Sequence, residues 1–430
     1  MMMRVRALLV LVASAVAMVA MAAARARAQE EDPDLQQIAA AYYAERHHLD
    51  LDQARERLAI QDAAAGIEDD LTRLLGGEFA GIWYDAADRG RLKVGLTDAG
   101  REQLPEIQRL LQQYGVDADS DLVSVRFSED EIVALQARVR EQVLDLIRSG
   151  HVATAYDTRV NSVVLTALVR LPPDEEARVR RVAALSGVEL RRTQAPSLLG
   201  RLTSCNITYC DAPLRGGRQI AGSSGTCTAA FMARGRTNPD QRFAMTAGHC
   251  NIFGGPFWSA RDEGNVWHGI GSNAVTQFSG APGLDAGVIA IPSTSFWAFP
   301  DPAPLVVVKK SDQTTYNPSY PIKSDSKSSM GQVLCRTGEK TGTHCAEVSG
   351  LGADHSVLAP DGNSYVLLNL GELDMCAALP GDSGGPIYKR GRAYGIHSST
   401  IAYPPFTCME VYQGVRAAEN AMNVDVLVSP

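Results

Sequence analysis

Residues 381–386 read Gly-Asp-Ser-Gly-Gly-Pro and place one serine, Ser383, between glycines. Glycine tolerates the tight turn that presents a serine hydroxyl, and it leaves backbone N–H groups free to point at a ligand. A serine is a weak nucleophile until a base activates it, and that base must be oriented by a third group. The rest of the sequence should therefore supply a histidine and a carboxylate.

Both partners precede Ser383 along the chain. Residues 246–250 read Thr-Ala-Gly-His-Cys and offer His249, and Asp285 leads into an apolar strand and offers the carboxylate. Each motif is weak alone, because a single histidine more often packs in a core and Gly-Asp-Ser-Gly is more often a turn. The order His, Asp, Ser is one of the known orders of a catalytic triad. Together the motifs predict a triad of His249, Asp285 and Ser383.

The composition divides the chain into two parts. The 430 residues leave room for two or three domains, and the net charge is -8. Acidic residues outnumber basic ones in residues 29–200, whereas all eight cysteines follow residue 204. No long basic run is present, so we expect no nucleic-acid partner.

The N-terminus has the pattern of a secretory signal. Arg4 and Arg6 precede an apolar run from Ala7 to Ala24, and Ala-Arg-Ala at 26–28 predicts cleavage after Ala28. The alternative is an uncleaved membrane anchor. No later segment is long and apolar enough to cross a membrane, so we expect a secreted, extracellular protein without membrane contact after cleavage. Export favours disulfides for an even number of cysteines.

The residue pattern of the sequence also changes near residue 195. Residues 29 to about 200 mix helical periodicity with short strands and predict an α+β region. The later part has short apolar runs, frequent turns and helical periodicity only near its end, from Val411 to Met422. That pattern predicts an all-β sandwich or barrel closed by one helix.

Residues 205–425 resemble the chymotrypsin-clan serine endopeptidases of the streptogrisin and α-lytic protease group. The histidine motif, the serine motif and the segment 333–345 with its two cysteines carry the resemblance. It implies a trypsin-like mature part with two six-stranded antiparallel β-barrels and a C-terminal helix, preceded by an α+β pro-region. Residues 156–164 resemble the streptogrisin pro-segment. We therefore expect a signal peptide at 1–28, a pro-region at 29–200 that assists folding and inhibits, and a protease domain at 201–430.

The resemblance assigns roles to the motif residues. Ser383 attacks the peptide carbonyl, His249 transfers the proton and Asp285 holds the imidazole. The backbone N–H groups of Gly381 and Ser383 form the oxyanion hole. In this protease group an internal arginine pairs with the aspartate that precedes the catalytic serine. Arg336 stands at the matching position, which implies an Arg336–Asp382 ion pair. We expect maturation between Gln194 and Ser204.

The resemblance also implies the cysteine pairing, although eight cysteines allow 105 arrangements by counting. A zinc site built from His249-Cys250 and His344-Cys345 is a competing interpretation that the export signal and the spacing disfavour. We expect no metal and no cofactor. The implied disulfides are Cys205–Cys210, Cys227–Cys250, Cys335–Cys345 and Cys376–Cys408.

The predicted specificity pocket includes His397, Ser398, Ser399 and Thr400. Ala377 stands where trypsin-like enzymes carry an acid, so a Lys or Arg preference is disfavoured. The histidine and the hydroxyls suggest a preference for Glu before the scissile bond, and otherwise for small or apolar residues. We expect a monomer that acts on protein or peptide substrates. The alternative function is an inactive protease-fold module for binding or adhesion.

Overall fold

The computed structural model describes residues 33–194, 199–201, 212–262, 265–280, 283–298, 301–309, 316–403 and 407–429. The expected signal peptide and the expected pair Cys205–Cys210 lie outside these ranges. Inside them, no helix has both the length and the apolar character that a membrane crossing requires.

The N-terminal part mixes helices and strands, as the sequence predicts. Its helices are α1 (Pro33–His47), α2 (Leu51–Ala63), α3 (Ile67–Leu75), α4 (Leu104–Tyr114), α5 (Glu129–Arg148) and α6 (Pro173–Ala183). Its strands are β1 (Phe79–Asp85), β2 (Arg91–Leu96), β3 (Ser120–Ser124), β4 (Val152–Asp157), β5 (Ser162–Leu168) and β6 (Val188–Thr193).

Local sequence signals explain the start of the long helix α5. The Ser128 side chain accepts a hydrogen bond from the Glu131 backbone N–H, and the Glu131 carboxylate accepts one from the Ser128 N–H. This reciprocal capping box satisfies two donors that a helix N-terminus leaves unpaired. The apolar face then packs into the core of this region, which buries Ile132, Leu135, Val139, Val143 and Leu146.

The second part is mostly β-sheet. The short strand β7 (Leu199–Arg201) precedes it, and its helices are α7 (Gly248–Phe253) and α8 (Val415–Met422). The first group of strands is β8 (Gln219–Ala221), β9 (Thr226–Thr228), β10 (Met232–Gly235), β11 (Arg242–Thr246), β12 (Phe257–Arg261), β13 (Trp267–Phe278) and β14 (Asp285–Ile291). The remaining strands are β15 (Leu305–Lys309), β16 (Tyr316–Pro321), β17 (Ser324–Asp325), β18 (Val333–Gly338), β19 (Gly342–Leu358), β20 (Ser364–Leu373), β21 (Pro386–Lys389), β22 (Arg392–Tyr403), β23 (Thr407–Gly414) and β24 (Val424–Val426).

Two large sheets organise these strands. The first has the order β24-β10-β11-β14-β13-β12-β8-β9, so the last strand of the chain joins its edge. The second contains the run β18-β21-β22-β23-β20-β19, and β18 also pairs with β19, which closes this run into a ring. The candidate residues lie where the turn before β21 approaches the first sheet.

The N-terminal part is attached to the second sheet by backbone hydrogen bonds. β4 pairs antiparallel with β19, with Leu351 opposite Tyr156 and Asp354 opposite Thr154, and β5 and β6 continue the sheet beyond β4. An exposed strand edge is a template for pairing with another strand. The N-terminal part therefore covers an edge that β19 would otherwise expose.

Candidate active site

Strand pairing brings His249 and Asp285 together. β11 ends at Thr246, which lies opposite Gly287 in the antiparallel neighbour β14, so His249 in α7 comes to lie beside the start of β14. His249 Nδ1 is 2.8 Å from Asp285 Oδ2, and the His249 backbone N–H donates to Asp285 Oδ1 over 2.8 Å. Both residues are buried, at 3% and 0% exposure. The carboxylate therefore fixes the ring and its backbone together.

Ser398 supplies a third hydrogen bond to this carboxylate. Its hydroxyl donates to Asp285 Oδ2 over 2.6 Å, from strand β22. Burial acts to raise the pKa of Asp285, but the charge of His249 and these hydrogen bonds outweigh it, so the pKa lies below its ordinary value. The sequence predicted Ser398 in the specificity pocket, whereas its hydroxyl contacts the Asp285 carboxylate.

Ser383 sits on a turn that glycines make possible. Gly381 has φ +123° and Gly384 has φ +84°, both in the region that other residues avoid. A Cβ atom on Gly384 would lie 2.1 Å from Thr246 Oγ1, so the turn also needs glycine for space. The Ser383 hydroxyl donates to the Ser398 carbonyl over 3.2 Å. Among the described residues no hydrogen bond joins it to His249.

Thr228 fixes the backbone of this turn. Its hydroxyl donates to the Gly381 carbonyl over 2.7 Å, and its N–H donates to the Ser383 carbonyl over 2.8 Å. The N–H groups of Gly381 and Ser383, in contrast, have no acceptor within the described part of the chain. Two anchored carbonyls with two uncommitted N–H groups are the arrangement that an oxyanion hole requires.

Arg336 contacts two buried carboxylates, although the sequence predicted only one. Its Nη1 lies 3.3 Å from Asp382 Oδ2, and its Nε donates to Glu410 Oε2 over 2.7 Å. Asp382 also accepts from the Thr341 hydroxyl over 2.7 Å and from the Leu379 N–H over 2.8 Å. All three charged side chains are fully buried. The guanidinium thus joins the turn that carries Ser383 to strand β23.

The remaining pocket candidates lie on β22 beside Glu410. His397 Nδ1 is 3.7 Å from Glu410 Oε2, and burial together with Arg336 and His249 holds the pKa of His397 well below its ordinary value. The ring is therefore neutral near pH 7. His397 Nδ1, Ser399 Oγ and Thr400 Oγ1 are buried without a hydrogen-bond partner among the described residues.

Three of the implied disulfides are present among the described residues, namely Cys227–Cys250, Cys335–Cys345 and Cys376–Cys408. The disulfide Cys227–Cys250 lies beside His249, and the ligand atoms of Cys227, His249 and Cys250 come within metal-binding distance of one another. Because both sulfurs are bonded to each other, they cannot act as thiolate ligands. Cys345 is likewise oxidised, so the alternative zinc site lacks its thiolates.

Comparisons with known proteins point to one group. Residues 52–106 match the family model described as alpha-lytic protease pro N-terminal. Streptogrisin-C of Streptomyces griseus is 27% identical over 352 residues, which cover 81% of this chain and 66% of that protein. Streptogrisin-D of the same organism is 28% identical over 341 residues, which cover 78% of this chain and 73% of that protein.

One solved structure that resembles this chain is a glutamic-acid-specific serine protease described as using a histidine triad in substrate binding. It shares 27% identity, covers 50% of this chain and 100% of its own, and has a TM-score of 0.38. The chain spans just under two thirds of streptogrisin-C, and the alignment covers most of this chain. With the match to the pro-region model at residues 52–106, these comparisons show that the chain is similar to the streptogrisin and α-lytic protease group of serine proteases.

Proposed function

We propose that residues 201–430 hydrolyse peptide bonds through an acyl-enzyme formed on Ser383. The observation that carries the proposal is the buried His249–Asp285 pair beside a serine on a glycine turn. His249 Nδ1 lies 2.8 Å from the carboxylate, which leaves Nε2 to accept a proton. Asp285 stabilises the imidazolium that forms and keeps the required tautomer.

The first chemical step requires a small movement of the nucleophile. The Ser383 hydroxyl donates to the Ser398 carbonyl and must rotate towards His249 Nε2 before it attacks. Hydrogen bonds between catalytic groups often form only in the substrate complex. The N–H groups of Gly381 and Ser383 then bind the oxyanion, and each such donor contributes about 100- to 1000-fold to kcat.

We also propose the domain limits and the compartment predicted from the sequence. Residues 1–28 direct export, residues 29–200 are removed, and the mature part folds as two six-stranded barrels. Three disulfides in the described part support an oxidising compartment outside the cytosol.

The pro-region acts as an intramolecular inhibitor in this proposal. β4 extends the second sheet at β19, and Arg140 Nε lies 2.6 Å from the buried Asp354 carboxylate across the same boundary. The Thr154 hydroxyl donates to Asp354 over 2.6 Å. Beyond β6, the short strand β7 pairs with β22, with Arg201 opposite Thr400. The junction between the pro-region and the protease domain therefore pairs with the strand β22, to which a substrate would bind in this proposal.

For the substrate preference we favour uncharged small or apolar residues over Glu. A substrate carboxylate needs a positive partner, and the sequence assigned that role to His397. Burial keeps this imidazole neutral, and Glu410 already lies 3.7 Å from it. The Glu preference stays a prediction. Cleavage of a peptide library that varies the residue before the cut site decides between Glu and uncharged small or apolar residues.

Hydrolysis of a denatured protein by the mature chain tests the proposed function. We expect multiple cuts by the wild type and none by Ser383→Ala. Ser295→Ala is the matched control, because the Ser295 hydroxyl donates a hydrogen bond to the Gly269 carbonyl in another part of the fold. A processed, folded wild type that cuts no protein would favour the alternative, a binding or adhesion module.

A further inference from the structure

We propose that Glu410 forms the floor of the substrate pocket and excludes acidic side chains at the residue before the scissile bond. This inference rests on the proposed function, because it assigns a selective role within the same pocket. Neither the spacing of the motifs nor the resemblance pointed to this residue. The contacts of its carboxylate do.

Glu410 lies between the two segments that lead to the reacting groups. Glu410 in β23 stands opposite Thr400 in β22, and Thr400 follows Ser398 by two residues. Its Oε1 accepts from the N–H groups of Ala377 and Ala378, over 2.9 and 2.6 Å, in the segment that precedes Ser383. The side chain therefore bridges the two walls of the pocket.

The groups around the Glu410 carboxylate form an anion-binding site. Two backbone N–H groups donate to Oε1, the Arg336 guanidinium donates to Oε2, and His397 Nδ1 lies 3.7 Å away. A pocket selective for acidic residues would use such donors to hold the carboxylate of the substrate. Here the protein itself supplies that carboxylate, and the residue is fully buried.

This occupancy determines what the pocket accepts. A substrate Glu would bring a second carboxylate against Glu410, and the Arg336 guanidinium beside it is shared with Asp382. An unpaired like charge in a buried site is an effective way to reject a ligand. The buried Ser399 and Thr400 hydroxyls, which have no partner among the described residues, can still bind a neutral polar side chain.

The first test compares two isosteric substrates on the mature wild-type enzyme, obtained from the full chain. The peptides differ only in Glu or Gln before the cut site, and kcat/KM is measured at pH 7 with the active sites titrated. We expect Gln to be favoured by about tenfold or more. An equal rate, or a faster rate for Glu, overturns the proposal. Hydrolysis of neither peptide, nor of any library member, would instead contradict the proposed function.

The second test changes the pocket floor. Glu410→Ala vacates the donor set, so the ratio of rates should invert in favour of Glu, and free acetate should inhibit cleavage of the Glu peptide. Glu410→Gln keeps the size of the side chain and removes its charge. The ratio of kcat/KM for the Glu peptide to kcat/KM for the Gln peptide should then rise about tenfold above that of the wild type. This second variant tests the same claim if the alanine variant fails to fold.

Glu372→Gln is the matched control. Glu372 is also a nearly buried acid beside a buried histidine, since its Oε1 lies 2.7 Å from His355 Nε2, and it lies on the adjacent strand β20. Within the described part of the chain, its side chain has no hydrogen bond or ion pair with Arg336, with residues 377–378 or with residues 397–400. The ratio of kcat/KM for the Glu and Gln peptides should therefore equal that of the wild type. A shift in this control equal to that of Glu410→Gln would assign the effect to general loss of buried charge and overturn the proposal.

Discussion

At the scale of single residues, the acid of the proposed triad has a hydrogen-bond donor that lies outside the serine and histidine motifs. Ser398 donates to the same Asp285 oxygen that His249 contacts, and its carbonyl accepts from Ser383. Hydrogen bonds to a charged group are stronger than those between neutral groups. We therefore expect Ser398 to position the acid of the proposed triad.

Replacing Ser398 by alanine should lower kcat/KM about tenfold or more, because a hydrogen bond to a charged group contributes about 1.5–3 kcal/mol. The loss also removes one cause of the low pKa of Asp285. The acidic limb of the pH–rate profile should therefore move to higher pH. Ser295→Ala should leave both the rate and the profile unchanged, and an unshifted profile in Ser398→Ala would contradict the positioning role.

Residue identities in short motifs could be predicted from the sequence, and contacts between distant strands could not. His249, Asp285 and Ser383 each stand in a recognisable local context. Glu410 is a lone acid in an apolar strand, and its meaning depends on Arg336, which is 74 residues away and reaches it only through the fold. The same reason explains why Ser398 was assigned to the pocket rather than to Asp285.

At the scale of secondary structure, local patterns predicted the type of each part of the chain but not the boundary of its terminal helix. Val411–Met422 has helical periodicity, yet residues up to Gly414 belong to β23 and only Val415–Met422 is helix. The reason is tertiary, because β23 pairs with both β20 and β22, and this pairing overrides a weak local preference. The capping box of α5, in contrast, is a strictly local signal, because Ser128 and Glu131 are three residues apart.

The register of β7 predicts where the chain is cut. β7 runs antiparallel to β22, with Arg201 opposite Thr400. Ser398 precedes Thr400 by two residues in β22, and its carbonyl is 3.2 Å from the Ser383 hydroxyl. The described end of β7 therefore pairs with the strand that carries Ser398. We expect cleavage in the interval expected from the sequence, between Gln194 and Ser204.

N-terminal sequencing and intact mass of the mature form check this cut. The Ser383→Ala chain should stay uncleaved, which separates self-processing from cleavage by a contaminating protease. A mature N-terminus outside residues 195–204, formed in a single step, would contradict this prediction.

At the scale of the whole molecule, charge connects the pro-region to the protease domain. Asp69 forms two hydrogen bonds with Arg416, at 2.8 and 3.0 Å, and Gln61 exchanges hydrogen bonds with Gly331 and Val333. The acidic composition of residues 29–200 indicated a separate part. It could not indicate which basic residues would oppose it, because those contacts depend on how the two parts dock.

We expect Glu68, a half-buried acid, to make this interface sensitive to pH. Glu68 on α3 accepts from the Ser329 hydroxyl over 2.8 Å and faces Glu129, Asp69 and Lys327. Burial, with the nearby Glu129, raises the pKa of Glu68 from 4.5 to about 8. The bound state therefore holds a proton that the released pro-region gives up. Its contribution to binding is complete below about pH 4.5 and is lost as the pH rises through about 8.

Release of activity from the cleaved complex measures this effect. Samples incubated at different pH and assayed at one common pH should gain activity faster as the incubation pH rises towards 8. Glu68→Gln should flatten this dependence, whereas Glu141→Gln, an exposed change on α5, should preserve it. An unchanged pH dependence in Glu68→Gln would assign the sensitivity to other groups.

Covalent labelling of the mature enzyme by an organophosphorus serine reagent tests the central claim most directly. The account predicts one label per chain, located by mass spectrometry on Ser383 and absent from Ser383→Ala. His249→Gln should react orders of magnitude more slowly, because the base that activates the hydroxyl is gone. A folded, processed wild type that takes no label, or takes it at another serine, would contradict the account.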